Sequence, residues 1–177
     1  MSKIDFKQRK NWHIIERGCF YQAAMPYMSD TEQPLKFLTS DESGKLSFVE
    51  RTDDFLPAED ENGRKTAVPQ DIIVTVKPRQ VVVLSNDVLN KSRDYSYVQV
   101  APVYGLYKTD TTRWYYEDLI NDKLEGSVYV PSNGYGIRID LIQITSIHKS
   151  MLLQKQRKVD KERMELIESE LVGLLDL

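Results

Sequence analysis

The chain has 177 residues with the apolar and charged proportions of a soluble globular protein, a formal net charge of −3 and a pI near 5.5. That length suits one domain, or one domain with a sizeable insertion, and the weakly negative overall field means that any nucleic-acid role rests on a local basic groove. No apolar run reaches membrane-spanning length, MSKIDFKQRK has no signal-peptide core, and a single cysteine with two distant histidines excludes an intramolecular disulfide and makes no zinc pattern, so cytoplasmic residence is expected.

Residues 1–17 are mostly polar and basic, with Phe6, Trp12, Ile14 and Ile15 as apolar anchors, and read as a mobile or loosely docked arm. Gly18 opens a strand over Cys19 to Pro26, and Pro26 ends it or places it at a sheet edge. The stretch 29–70 is rich in Asp, Glu, Ser, Gly and Pro. Its apolar residues fall on either side of Ser40-Asp41-Glu42-Ser43-Gly44, which predicts a β-hairpin carried by an acidic insertion, followed by a solvated loop at Glu59–Gly63. An excess of carboxylates makes this insertion a poor phosphate-binding surface.

DIIVTV, 71–76, reads as a strand, and Lys77 to Arg79 as a cationic connection. The unbroken run Val81-Val82-Val83-Leu84, closed by Ser85-Asn86-Asp87, reads as a buried central strand with Arg79 at its mouth. A further strand covers 97–103 up to the turn at Gly105. Thr109–Asn121 fits a short helix capped by Thr111-Thr112, or equally a strand edge. Val128–Val130 is a strand ended by Pro131-Ser132-Asn133-Gly134, and Ile137–Ile147 is one more. A basic cluster, Lys149, Lys155, Arg157, Lys158 and Lys161, precedes an amphipathic helix over 161–177 with Met164, Ile167, Leu171, Leu174 and Leu175 on one stripe. Five to seven short strands and one terminal helix predict a mainly β fold, a small antiparallel barrel or curled sheet with the helix packed on it.

Several segments, taken in order, resemble the PemK/MazF family of toxins from bacterial type II toxin–antitoxin modules. They are Arg17-Gly18-Cys19-Phe20-Tyr21, then Arg79-Gln80-Val81-Val82-Val83-Leu84-Ser85-Asn86, then Val100-Ala101-Pro102-Val103, then Gln143-Ile144-Thr145-Ser146-Ile147, and the leucine-rich closing helix. The resemblance covers 17–27 and 71–177 and makes the whole of 1–177 a single PemK/MazF-like domain with the acidic insertion at 29–70. It implies an SH3-like barrel of the CcdB/PemK type with a C-terminal helix, usually a homodimer. It further implies an antitoxin protein partner, no cofactor and no metal, and cleavage of single-stranded RNA by attack of the ribose 2′-hydroxyl on the adjacent phosphate.

On that resemblance Arg79 takes the family's arginine position, where a guanidinium fork stabilises charge on the reacting phosphate. Gln80 stands where proline is usual, Tyr104 where the family carries Thr or Ser, and Ile142 where it carries Asp. Asp140, two residues before Ile142 and beside Arg138, supplies the acid if the strand is bulged or displaced; otherwise Arg138 and Asp140 are part of a solvent-facing charged row. The candidate catalytic residues are therefore Arg79, Asp140 and Tyr104, and the candidate RNA-binding residues are Arg138, Arg113, Trp114 and Lys77. The alternative is a catalytically inactive module of the same fold that binds RNA or protein. Eight of the ten tyrosines lie between Tyr95 and Tyr135, where they either stack bases or cover half-buried sheet faces. His148, after the last strand, is either a general acid or base or an exposed loop residue.

Overall fold

The computed structural model describes residues 4–27, 36–50, 58–66 and 71–176. In chain order the strands are β1 (Cys19–Tyr27), β2 (Lys36–Ser40), β3 (Leu46–Glu50), β4 (Ala58–Glu59), β5 (Lys65–Thr66), β6 (Asp71–Ile72), β7 (Thr75–Val83), β8 (Tyr97–Gly105), β9 (Ser127–Val130), β10 (Ile137–Asp140), β11 (Thr145–His148) and β12 (Leu152–Lys158). The helices are α1 (Asp87–Lys91), α2 (Tyr116–Ile120) and α3 (Lys161–Leu175), with 3₁₀ turns at Arg9–Ile14, Lys108–Thr112 and Lys149–Met151. The chain divides into two compact units, Met1–Met25 with Pro78–Leu177, and Pro26–Lys77.

The larger unit is one antiparallel sheet in the order β12-β1-β7-β8-β10-β9, with β11 also paired to β8. The pairing order ends at β12 and β9, so the sheet curls without closing on itself. Its two faces each carry a core. Phe6, Trp12 and Ile15 cover Tyr21, Ala23, Val81, Val83, Val98, Val100 and Ile147 on one face. On the other, Ile167 of α3 packs with Phe20, Val82, Leu84, Ala101, Val103, Val128 and Ile139. This is why the run Val81–Leu84 has no polar member: alternate residues enter opposite cores, and both are dry. At the other end of β8, Lys149 is fully buried, and its Nζ donates to Leu89 O and Ser92 O at 2.8 Å each, 4.7 Å from the Trp12 ring centroid. Those carbonyls lie at the C-terminal end of α1, so the lysine caps that helix.

In the smaller unit β2 and β3 form the expected hairpin, in register from Lys36↔Glu50 to Ser40↔Leu46, with β6 on the other side of β2. The acidic residues at its turns have a local structural use. Asp41 Oδ1 accepts from Ser43 N, Ser43 Oγ and Lys45 N, and Asp60 Oδ1 accepts from Asn62 N and Arg64 N in the same way between β4 and β5. The span 26–77 holds eleven acidic and six basic residues, a net −5, which leaves 16 acidic against 18 basic residues, a net +2, for the unit bearing the long sheet.

Four expectations need correction. The described part of the N-terminal arm is docked rather than loose, because Trp12 is buried and its Nε1 donates to Phe6 O at 2.9 Å. Residues 77–79 are no connection; β7 runs through them without a break. The basic cluster includes a strand, β12, which pairs with β1. Two of the cluster's lysines are committed within the protein, Lys149 as described and Lys155 to Glu16 Oε2 at 2.7 Å and to Ile14 O at 3.0 Å. Finally, Ile137–Ile147 is two strands, β10 and β11, with an offset between them. The ambiguous stretch 109–121 is helical: a 3₁₀ turn followed by α2.

Candidate active site

The offset between β10 and β11 builds the site. Ile139 pairs with Val103 and Thr145 pairs with Val100, so six steps along this edge match three along β8. The three surplus residues are taken up between Asp140 and Thr145 as a bulge. Pro102 of β8 lies opposite it. Leu84 N donates to Gln99 O, so Gln99 faces β7, and alternate residues, Pro102 among them, face the β10–β11 edge. The N–H that proline lacks thus falls where the bulge removes its ladder partner, which removes the usual objection to proline within a sheet.

Within the bulge the Asp140 side chain, 8% exposed, gathers three donors. Arg138 Nη2 reaches Oδ2 at 3.3 Å, Gln143 Nε2 reaches Oδ2 at 3.0 Å, and Ile142 N reaches Oδ1 at 3.2 Å. Gln143 also accepts from the Tyr104 hydroxyl at 3.2 Å. Tyr104 pairs directly with Arg138 across β8 and β10, and the Arg138 guanidinium carbon lies 5.3 Å from its ring centroid. Arg79, half-buried on β7, places its guanidinium carbon 5.9 Å from the same ring. Both are cation–π distances. Two guanidiniums, a phenol and a buried carboxylate are therefore drawn together on three adjacent strands.

A second layer comes from the segment between β8 and β9. Tyr115 lies 5.7 Å from the Arg138 guanidinium carbon, and its hydroxyl donates to Asp110 Oδ1 at 3.1 Å. Burial and that bond push the Tyr115 hydroxyl above its ordinary pKa. Asp110 Oδ2 accepts from Tyr107 N at 2.7 Å, so the same carboxylate fixes the turn that carries the ring. Trp114 is 83% exposed and meets Tyr115 edge-on, with centroids 5.7 Å apart. Arg113 is exposed beside it.

The sequence of residues 68–175 matches the model of the PemK-like, MazF-like toxins of type II toxin–antitoxin systems. The chain belongs to that family. No curated protein matches the chain. A solved structure titled as an endoribonuclease in complex with its cognate antitoxin, from mycobacterial species, is similar at 13% identity with a TM-score of 0.46, over 92% of this chain and 94% of that one.

Of the residues expected from the resemblance to PemK-like toxins, Arg79, Tyr104, Arg138 and Asp140 come together. Arg113 and Trp114 join them through Tyr115. Lys77 lies in the smaller unit and is exposed there. The charged-row reading of Arg138 and Asp140 fails, since Asp140 is buried. Ile142, at the family's usual acid position, is 71% exposed. Gln80, at the usual proline position, donates to Gln156 Oε1 at 2.6 Å. His148 sits opposite Tyr97 at the far end of β8, half-buried and edge-on to Trp12 and Tyr97, and so is separated from the site. The residues that sequence reasoning missed are Gln143, which served only to mark the register, and Asp110; Tyr115 was among the tyrosines expected either to stack bases or to cover the sheet. The available signal for Gln143 was its polar side chain inside a run of isoleucines three positions after Asp140.

Proposed function

We propose that this PemK-like protein is an endoribonuclease that cuts single-stranded RNA without a metal ion. The ribose 2′-hydroxyl attacks the adjacent phosphorus, the bond to the 5′-oxygen breaks, and the products are a cyclic phosphate and a 5′-hydroxyl, with the 2′ proton leaving to water and the 5′-oxygen taking one back. The single observation that carries this reading is the placement of two guanidiniums, Arg79 and Arg138, on one tyrosine ring across three adjacent strands. Two guanidiniums beside one ring supply charge stabilisation to a pentavalent phosphate without themselves losing protons. Tyr104 contacts the ribose. Asp140, with both oxygens occupied, acts by holding Arg138 and Gln143. Trp114 offers a face for a base, and Arg113 a contact for phosphate. Family membership supports an antitoxin protein as partner, a homodimer as the working form, and growth inhibition in the cytoplasm as the effect.

The test is purified protein, cleared of partner, incubated with RNA in the presence of a chelator, beside Arg79→Ala. Cuts at a short recurring sequence that end in cyclic phosphate, persist with the chelator and vanish in the variant are expected. The second reading, a binding module that has lost catalysis, is favoured by the exposed Ile142 at the usual acid position. Folded protein that binds RNA and leaves it intact, with or without Arg79, would establish it instead.

A further inference from the structure

The hydrogen bonds in the bulge have a fixed direction, and it can be read from chemistry alone. Asp140 already accepts from Arg138 and from the Ile142 N–H, and its carboxylate has no proton to give. The end of Gln143 that meets Asp140 must therefore be its amino end, which turns the amide oxygen towards Tyr104. An amide oxygen only accepts, so the Tyr104 hydroxyl must donate to it. Its proton is committed to Gln143, and the oxygen's lone pairs stay open as acceptors.

We infer that Gln143 is a positioning residue that sets the sense of the Tyr104 hydroxyl, so that the site presents a hydrogen-bond acceptor to a ribose 2′-hydroxyl. This deepens the nuclease reading and rests on it. A 2′-hydroxyl that donates to Tyr104 turns its own lone pair away from the phenol, towards the phosphorus held by the two guanidiniums. A strand without the 2′-hydroxyl has no donor to offer, and the phenol oxygen then meets nothing. Tyrosine at a position where the family carries a short hydroxyl residue is compensated by the bulge: the three surplus residues bring Gln143 back to the end of the longer side chain. Tyr115, bonded to Asp110 and not to this chain of donors, has no part in the polarity.

The experiment is a double-mutant cycle with Gln143→Leu, Tyr104→Phe and the pair, on the full chain, with thermal melts to confirm that each variant is folded. Gln143→Leu is expected to lower kcat about tenfold with KM little changed, and to add nothing further in the Tyr104→Phe background, because the two act as one unit. Independent, multiplying losses would overturn the inference, as would full activity in Gln143→Leu. Binding is measured in parallel, by anisotropy, with a single-stranded RNA and a DNA of the same sequence. Wild type is expected to prefer the RNA by about tenfold more than Gln143→Leu does, the worth of one hydrogen bond. If wild type cuts no RNA, the nuclease reading falls and the binding arm alone decides: a ribose preference lost in Gln143→Leu sustains the polarity, and an unchanged or absent preference ends it.

Discussion

Both ends of β8 set a cation against an aromatic ring, and they differ in what is left over. At the Tyr97 end, Lys149 is completely buried, with two carbonyls and the face of Trp12 for its three donors. Burial alone holds its pKa below the ordinary lysine value, and no carboxylate partner is needed because the carbonyls take up the ammonium's hydrogens. At the Tyr104 end, Arg138 is a quarter exposed, shares a carboxylate with a glutamine, and leaves its Nε without a hydrogen-bond partner. A satisfied cation is a strut. One that shares its carboxylate and stays partly exposed beside a second guanidinium is what the nuclease reading needs. The same contact type therefore says little about function until the donors are counted.

That contrast can be broken from either end. The largest effect is expected for Trp12→Ala, which removes a buried ring from the face-one core and the face beneath Lys149; a loss of about 3–5 kcal/mol in chemical denaturation is expected, with catalysis intact in whatever fraction stays folded. Arg138→Ala is aimed at the chemistry. It costs some stability, because the buried Asp140 carboxylate keeps only Gln143 and the Ile142 N–H, but cleavage per folded molecule should fall about 100-fold, roughly 2.7 kcal/mol of transition-state stabilisation, read from single-turnover rates. Lys149→Met strips two buried carbonyls of their donor but keeps the packing. Destabilisation of about 2 kcal/mol, with unchanged cleavage per folded molecule, is the outcome that would keep this residue a strut.

The smallest effect sharpens the role of the arm. The hydrogen bond from Lys155 holds Glu16 below its ordinary pKa of 4.5. A carboxyl whose folded pKa is depressed adds stability that is whole above the unfolded value and is lost as pH falls through the folded one. Glu16→Gln should therefore cost little at neutral pH, under about 1 kcal/mol given that this pair is substantially exposed, and should flatten the fall in melting temperature below about pH 4.5. A wild-type acid profile identical to the variant's would remove this pair from the account of how the arm is held.

The sequence made some parts of this contrast easy to read and hid others. The run Val81–Leu84 and the stripe Met164–Ile167–Leu171 announce themselves, because burial on both faces or on one helical face leaves a period. Arg79 stood at the mouth of that run from the residues alone, and the family pattern then suggested its role. The arm did not announce itself, since Phe6, Trp12 and Ile15 dock singly through a 3₁₀ turn that leaves no period to find. β12 was hidden by its composition, since Gln154, Lys155, Gln156, Arg157 and Lys158 of this edge strand look like a charge cluster. The offset between β10 and β11 was masked by isoleucines that fill positions on both sides of it, so 137–147 looked like one strand. The polarity of Gln143 needed three distances and could not be had from spacing.

That offset also lays down a rule of counting for anyone who cuts or lengthens this protein. A surplus of three is an odd number, and in a pleated strand an odd number exchanges up for down. Ile139 and Ile147 are both odd-numbered, yet one belongs to the core under α3 and the other to the core under Trp12. Deleting or inserting one residue between Asp140 and Thr145 would therefore do more than disturb the site. It would carry Ile147 out of its core and rotate the approach to Lys149, unfastening the end of the molecule away from the proposed site. Changes by two residues keep the phase, so length variation at this loop should come in pairs.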